Sequence, residues 1–261
     1  MKAKNSGPKT WPKEAALIPN PIRKVLSIFW SCEVRALLMG GQACVFYGAA
    51  EFSRDTDFAV LADDDNLARI GRAIAELRGE VIAVPPFDPE YLFRGHAVHF
   101  RCHHPEALRM RVDVMAKMRG VAPFPELWDR RTTLEGEDGT RYDLLSLPDL
   151  VIAKKTQRDK DWPMIRRLLE ADYAASGGNP TPAQVRFWLK ESRTPEMLMD
   201  LARRFPAEFG AVEAIRPLLR QSLNMDRLEV LLAEEENAER AADREYWTPL
   251  KRELEAMRSA L

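Results

Sequence analysis

Apolar and polar positions along the first 61 residues follow two different periods. A helix is expected where apolar residues recur every three or four positions, and a buried strand where they form a short continuous run. The pattern predicts, in order, a helix at residues 22–32, a strand at 37–39, a helix at 42–47 and a strand at 58–61. Gly40 and Gly41 follow the first strand, where paired glycines allow a sharp turn and leave backbone amides free to approach a ligand.

The same reasoning predicts a mixture of helices and strands up to about residue 172. An amphipathic helix at residues 67–77 is preceded by Asp63, Asp64 and Asp65, which favour a helix N-terminus. Shorter runs predict a strand at 81–84, antiparallel strands at 96–102 and 110–115, a helix at 124–130, and two strand pieces within 131–141 that flank a turn at Gly136 and Gly139. We therefore expect an α+β fold, with a mixed sheet flanked by helices.

The pattern in the second half of the chain is helical. One long helix is predicted from Pro148 to about residue 171, with Lys154 and Arg158 four residues apart on one exposed basic face. A hinge rich in glycine and proline follows at residues 175–184, and further helical segments follow the hinge. The predicted organisation is a flexible arm at 1–19, a core at 20–174 and a helical extension at 184–261.

Two acids, Asp55 and Asp57, open the strand that ends near residue 61. Residues two apart on a strand point to the same face, so the two carboxylates project together. Adjacent carboxylates repel one another unless a cation lies between them, and Mg²⁺ prefers such oxygen ligands, often beside substrate phosphates. The spacing therefore predicts a site for Mg²⁺ or Mn²⁺ at the start of this strand.

The order of a glycine pair, a short helix and a D-x-D strand resembles the nucleotidyltransferases of the DNA polymerase β-like superfamily. Within that superfamily the chain is most similar to the bacterial relatives of AbiEii-type abortive-infection toxins. Those relatives often carry an F-S-x-D-x-D-F core, which is matched by Phe52, Ser53, Asp55, Asp57 and Phe58. The chain departs from the family pattern at Glu51, where arginine is common, and at Thr56, where an apolar residue is usual.

A second stretch resembles a family pattern of the form s-x-x-D-L-x-x-x-K, followed by a basic residue and then K-D. It is matched by Leu147, Asp149, Leu150, Lys154, Arg158, Lys160 and Asp161. The resemblance also implies a third carboxylate on a later strand. Asp113, which lies between two valines in the alternating run MRVDVM, is the candidate, because an acid in that position is unusual unless it has a partner.

The resemblance implies roles for these residues. Asp55, Asp57 and Asp113 are expected to be catalytic, to hold the metal and to converge on a common ion. The nucleoside triphosphate is expected to be bound by Gly40, Gly41, Gln42, Ser53, Lys154 and Arg158. Lys155 is the alternative to Lys154 for the phosphate contact.

The implied reaction moves a nucleoside monophosphate from a nucleoside triphosphate to an acceptor and releases pyrophosphate. The acceptor stays open between RNA, protein and small molecules such as antibiotics, because the motifs are shared by enzymes that use each of them. One alternative is a nucleotide-binding toxin–antitoxin module that acts through a separate protein partner. Another is a metal-dependent phosphohydrolase, although the usual histidine–aspartate motifs of that class are missing.

Composition narrows the remaining possibilities. A net charge of −1 argues against a protein that coats nucleic acid through bulk charge. The three cysteines lack C-x-x-C spacing, and the histidines at 96, 99, 103 and 104 lack the spacing of a closed zinc site, so these histidines are expected at the surface or a substrate edge. No apolar run approaches the length of a membrane span and no secretion signal is evident, so we expect a cytoplasmic protein without membrane contact.

Overall fold

The computed structural model describes residues 9–10, 20–50, 53–135, 139–221 and 224–260. The chain forms two compact units: the first comprises Met1–Ala153 with Thr248–Leu261, and the second comprises Lys154–Trp247. The boundary that the sequence predicts, after residue 174, lies inside the second unit.

The first unit is organised around one mixed sheet, and the predicted α+β class is confirmed. Its described strands are β1 (Lys9–Thr10), β2 (Ala36–Met39), β3 (Asp55–Val60), β4 (Glu80–Val81), β5 (Val98–Arg101), β6 (Arg111–Met115), β7 (Thr132–Glu135) and β8 (Arg141–Leu144). They lie in the order β1-β7-β8-β2-β3-β6-β5-β4. At the centre, β3 is antiparallel to β2 and parallel to β6, and β6 is antiparallel to β5 as the sequence predicted.

The described helices of the first unit are α1 (Asn20–Ser31), α2 (Gly40–Phe46), α3 (Asp64–Glu76), α4 (Pro89–Arg94), α5 (Phe124–Asp129) and α6 (Leu147–Ala153). Helix α1 packs on the sheet through Phe29, whose ring stacks on Phe58 of β3 with centroids 4.3 Å apart. The predicted helix-start acids lie at the N-terminus of α3: the side chain of Asp63 accepts a hydrogen bond from the backbone N–H of Asn66, and Asp64 and Asp65 lie in the first turn.

Two elements of the first unit differ from the prediction, and two predicted parts lie outside the described residues. The strand predicted at 81–84 is only the two-residue β4, and β1 lies within the predicted flexible arm, where it pairs with β7. The rest of that arm and Gly136 of the predicted turn lie outside the described residues.

The second unit is helical. Its described helices are α7 (Asp161–Ala175), α8 (Pro182–Glu191), α9 (Pro195–Arg204), α10 (Pro206–Glu213), α11 (Leu218–Gln221) and the greater part of α12 (Met225–Ser259), whose last turns belong to the first unit. Three of these helices begin at a proline, which has no backbone N–H to lose at that position. Across the described part of the chain, each helix is too short or too polar to cross a membrane.

The single long helix predicted from Pro148 to residue 171 is wrong, because α6 ends at Ala153 and α7 begins at Asp161. Between them the chain wraps around the carboxylate of Asp161. Lys154 and Thr156 donate to it at 3.0 and 2.6 Å. Pro163 was the missed signal: a proline is tolerated in the first turn of a helix but breaks its interior.

A buried ion network holds the second unit together. The guanidinium of Arg216, which is 3% exposed, contacts both carboxylate oxygens of Glu235 at 2.7 and 3.1 Å. It also donates to the backbone carbonyls of Leu189 and Ser192 at 2.7 and 2.9 Å. Burial alone would raise the pKa of Glu235, but the hydrogen bonds and charge of Arg216 outweigh burial and lower it. Arg193, which is also 3% exposed, contacts the same carboxylate, so two guanidinium groups share Glu235.

Candidate active site

The three predicted acids lie on one face of the sheet, where β2 ends and β3 begins. Asp57 is directly opposite Met39 of β2 on one side and Asp113 of β6 on the other. Directly opposed residues of neighbouring strands project to the same face, and so do residues two apart on one strand. The structure therefore brings Asp55, Asp57 and Asp113 onto one face.

The two faces of these central strands differ in burial. The residues that alternate with the acids are buried and form part of the core: Thr56, Phe58, Val112 and Val114. The residues on the acidic face are only half-buried: Asp55, Asp57, Arg111 and Asp113. The acidic face is therefore accessible to solvent while its backbone is fixed by pairing on both sides, which suits a site that must hold charged groups in place.

Asp57 is seated against Gly40. Gly40 has a φ of +67°, and a Cβ added there would lie 1.9 Å from Oδ2 of Asp57. Glycine is thus required both by the left-handed backbone and by the space that the carboxylate fills. A Cβ on Gly41 would similarly lie 2.7 Å from Oγ of Ser53, whose hydroxyl donates to the carbonyl of Asp55 at 3.2 Å. The approach of phosphate to the backbone amides of this glycine pair stays a prediction.

Asp113 is held by two neighbours. Nε of Arg111 lies 2.8 Å from Oδ1 of Asp113, and Nδ1 of His99 lies 2.9 Å from the same oxygen. The terminal nitrogen of Arg111 is also 3.0 Å from Nδ1 of His99. Since one ring nitrogen cannot both donate to the carboxylate and accept from the guanidinium, the trio has two alternative hydrogen-bond patterns. Burial would raise the pKa of Asp113, but the hydrogen bonds from His99 and Arg111 prevail and lower it from its ordinary value of 3.8.

Sequence reasoning missed Arg111 and His99 as members of the site. The signal for Arg111 was its position two residues before Asp113, which puts both on one strand face. His99 could be placed only by register, because it is directly opposite Asp113 in the antiparallel pair of β5 and β6. Register between strands is not readable from a single alternating run.

The residue types on this face fit the predicted divalent ion, since carboxylate oxygens are the ligands that Mg²⁺ and Mn²⁺ prefer. The predicted convergence on a common ion stays a prediction. Within the residues that the structure describes, no three Asp, Glu, His or Cys side chains form a ready-made ion site. The guanidinium of Arg111 lies on Asp113, so Asp55 and Asp57 supply the remaining carboxylates of the face.

Gln42 is buried two residues beyond Gly40. Gln42 is only 1% exposed, and neither its amide nitrogen nor its amide oxygen has a hydrogen-bond partner among the described residues. An unsatisfied buried polar group costs about 1–3 kcal/mol. A ligand that supplied one acceptor and one donor would offset this cost, which keeps Gln42 in the predicted nucleotide-binding set. Thr56 of β3, which stands where the family usually has an apolar residue, is also buried, and its hydroxyl has no hydrogen-bond partner among the described residues.

The basic helix face predicted for Lys154 and Arg158 is wrong, because neither residue lies in a helix and only Arg158 is exposed. Lys154 is 7% exposed and its Nζ lies 3.0 Å from Asp161, while Nε of Arg158 lies 2.8 Å from the other oxygen of that carboxylate. The alternative lysine, Lys155, lies 2.6 Å from Glu191. All of these residues belong to the second unit, whereas the acidic face belongs to the first.

Asp149, which belongs to the second family pattern, is hydrogen bonded to neighbouring residues of the fold. It is 2% exposed and receives two hydrogen bonds from Arg130, at 2.7 and 2.8 Å, and one from the hydroxyl of Ser146 at 2.6 Å. A buried carboxylate with three charge-assisted or hydroxyl donors is well satisfied. This aspartate therefore anchors the start of α6.

The histidines do not lie together. Nε2 of His96 is 2.7 Å from Glu253, His99 contacts Asp113, Nε2 of His103 is 3.5 Å from Glu80, and Nδ1 of His104 accepts from the backbone N–H of Glu106. The expectation of a surface or substrate-edge position fails for His96, which is 1% exposed. Phe52, which matches the F-S-x-D-x-D-F pattern, and Glu51, which departs from the family pattern, lie outside the described residues.

A comparison with models of known protein families finds no match for this chain, and a comparison with curated proteins finds none either.

Proposed function

We propose that the protein is a metal-dependent nucleotidyltransferase that moves a nucleoside monophosphate from a nucleoside triphosphate to an acceptor. The observation that carries this proposal is the seat of Asp57, pressed against Gly40 beside Asp55 and directly opposite Asp113 on a half-exposed sheet face. Carboxylates grouped in this way repel one another, and a bound cation offsets that repulsion. The resemblance of the D-x-D strand and glycine pair to the polymerase β-like superfamily supports the same reaction.

The residues have distinct roles in the proposed reaction. Asp55 and Asp57 hold Mg²⁺ or Mn²⁺, and Asp113 orients the acceptor. When bound, the ion balances phosphate charge and lowers the pKa of the attacking hydroxyl. The acceptor hydroxyl releases its proton to water, its oxygen bonds to the α-phosphorus, the bond from that phosphorus to the bridging oxygen breaks, and pyrophosphate leaves with the electron pair.

The nucleotide is assigned to the end of the face where the chain turns from β2 into α2. There Gly40 packs against Asp57 and Gly41 against Ser53, and Gln42 follows in α2 with an amide that has no hydrogen-bond partner among the described residues. The ammonium of Lys154 is committed to Asp161, so the proposal does not depend on it. A cytoplasmic location, where nucleoside triphosphates are abundant, is part of the proposal.

The test is incubation of the full chain with Mg²⁺, each labelled nucleoside triphosphate and, separately, total RNA, total protein or small-molecule antibiotics. We expect label in one acceptor class, and a loss of at least about 10²-fold in Asp57→Asn, the scale seen when one electrostatic group of an active site is removed. Asp65→Asn is the matched control, because Asp65 is an exposed acid in the first turn of α3.

A binding measurement makes the test independent of the unknown acceptor. Wild-type protein should gain about 2.7 kcal/mol of stability when Mg²⁺ and a triphosphate are present at 100 times the dissociation constant. Asp57→Asn should lose this gain and Asp65→Asn should keep it. If millimolar Mg²⁺ and every triphosphate leave the melting temperature of the wild-type protein unchanged, the proposal is wrong.

A further inference from the structure

The chain that joins β5 to β6 forms a cationic hairpin end, which comprises residues 101–111. Its sequence, RCHHPEALRMR, contains three arginines, at positions 101, 109 and 111, and one acid, Glu106. Nζ of Lys24 lies 3.1 Å from Oε2 of Glu106, so this acid is already paired with a residue outside the hairpin end. The three arginines are therefore not balanced by an acid of the hairpin end itself.

Two of these arginines lie side by side on the acidic face. The register places Arg101 of β5 directly opposite Arg111 of β6, and Arg111 directly opposite Asp55 of β3. On the other side of Arg101, the register places Glu80 of β4. The row across the four strands is therefore acid, arginine, arginine, acid. Like charges directly opposite one another on neighbouring strands are destabilising, and an anion bound to both arginines would offset that cost.

The two guanidinium groups differ in how far acids of the chain satisfy them. Nε of Arg111 lies 2.8 Å from Oδ1 of Asp113, and the side chain of Arg111 remains 40% exposed. Arg101 is exposed, and it forms no ion pair with the residues that the structure describes. Its neighbour Glu80 is 79% exposed, and its carboxylate lies 3.5 Å from Nε2 of His103. Arg101 therefore has its donors available to a ligand.

We infer that the acceptor of the proposed reaction carries a phosphate group that binds at Arg101 and Arg111. The inference rests on the proposed function and narrows its acceptor to phosphate esters, a chemistry that an RNA strand and a phosphorylated small molecule share. Phosphate suits the position because a guanidinium presents two parallel N–H donors to its oxygens.

The position of the two arginines favours the acceptor over the nucleotide. Arg111 lies on β6, the strand of Asp113, to which the acceptor is assigned, and Arg101 lies one strand further on, in β5. Gly40, where the nucleotide is assigned, follows β2 on the opposite side of β3. The phosphate of the acceptor and the triphosphate of the nucleotide would thus bind on opposite sides of the carboxylates of β3.

The experiment measures binding in EDTA without nucleotide, so that it does not depend on catalysis. A short fluorescent single-stranded RNA, followed by anisotropy, tests the first source of phosphate. Ribose 5-phosphate against ribose, followed by calorimetry, tests the second. The variants are Arg101→Gln, Arg101→Lys and the control Arg186→Gln, since Arg186 is exposed on α8 of the second unit. Arg111 is left intact because it holds Asp113.

We expect one of the two phosphate probes to bind the wild type and Arg186→Gln equally. Arg101→Gln should bind it about tenfold more weakly, the loss typical of one hydrogen bond between charged groups. Arg101→Lys should recover part of the affinity, because lysine keeps the charge and loses the paired donors. In the label-transfer assay, the same phosphate class should receive the label, and Arg101→Gln should need about tenfold more of it for half-maximal transfer.

Two results would overturn the inference while the proposed function stands. One is equal binding of both probes by the wild type and Arg101→Gln, which includes no binding by either. The other is label transfer to an acceptor without phosphate. The proposed function is judged separately, from the rise in melting temperature with Mg²⁺ and a triphosphate, and a wild type without that rise would contradict the proposed function itself.

Discussion

The acidic face of the first unit and the buried ion network of the second unit both bring charged side chains together, but they balance charge differently. In the network, Arg216 has its guanidinium matched to the carboxylate of Glu235 and to two backbone carbonyls. On the acidic face, Asp113 is hydrogen bonded to Arg111, and the register places Asp55, Asp57 and the exposed Arg101 on the same side of the sheet.

The buried network and the acidic face also differ in burial, because a buried charge needs partners that replace its water. A charge can be buried only when partners replace its hydration, which is the case for Arg216 at 3% exposure. The acidic face stays half-buried, so water still reaches its carboxylates. Carboxylates grouped at a half-exposed and rigid position therefore distinguish the candidate site from a buried network that stabilises the fold.

The largest expected effect is the loss of a partner from the buried network. Arg216→Met should lower the free energy of unfolding of the second unit by about 3–5 kcal/mol, because Oε1 of Glu235 and two buried carbonyls lose the donor that Arg216 gives them, while Oε2 keeps its contact with Arg193. Urea unfolding followed by circular dichroism, with the two units fitted as separate transitions, measures this change. Arg203→Ala is the control, since the side chain of Arg203 is 79% exposed, and its effect should stay within about 0.5 kcal/mol. Equal effects would mean that the network is not structural.

Ligand binding at the acidic face should be lost when a Cβ is added at Gly40. Gly40→Ala and Gly48→Ala both place alanine at positive φ, +67° and +73°, and each should lose about 1–2 kcal/mol of stability. Only Gly40→Ala should also lose the ligand-linked stabilisation of about 2.7 kcal/mol, because its Cβ would displace Asp57, whereas nothing lies within 4 Å of a Cβ on Gly48. Thermal melts with and without Mg²⁺ and triphosphate separate the two. Retention of the gain in Gly40→Ala would remove Asp57 from the ion site.

Balanced pairs should also be recognisable by pH. Burial would raise the pKa of Asp161, but the charges of Lys154 and Arg158 outweigh it, so the folded pKa lies below the ordinary value of 3.8. The unfolded chain therefore takes up the proton first, and the contribution of Asp161 to stability is present above pH 3.8 and is lost as the pH falls below it.

This contribution gives a slope of at most about 1.4 kcal/mol per pH unit for one proton. Asp161→Asn should lack that slope, although it will be less stable at neutral pH because Lys154 loses its partner. Urea midpoints between pH 5 and pH 2 in both proteins provide the comparison. Parallel curves would show that Asp161 has the same proton affinity in both states.

The smallest effect is expected from the removal of one carboxylate from the acidic face. Asp57→Asn in EDTA should leave stability unchanged or raise it by up to about 1 kcal/mol, since repulsion from Asp55 and Asp113 is relieved. Differential scanning calorimetry without metal measures this, with the exposed Asp65→Asn as reference. A clear loss of stability would place Asp57 with the balanced charges of the second unit and not with an ion site.

Features that depend on local sequence were predictable. The shared orientation of Asp55 and Asp57 follows from strand alternation, and the start of α3 follows from the capping ability of Asp63. The apolar runs were sufficient for the α+β class because burial of one face is a property of each element. The break at residues 154–160 was predictable in principle from Pro163, a local signal that a long periodic pattern concealed.

The assembly of the site depended on contacts between distant segments. Asp57 meets Asp113 and Gly40 only because β2, β3 and β6 pair in one register, and a shift of one residue would turn the acids into the core. The same register places His99 opposite Asp113, and packing buries Lys154 against Asp161 where an exposed lysine was expected. Residue type and period determined which side chains can carry charge chemistry, whereas strand register and burial decided which of those charges meet and which neutralise one another.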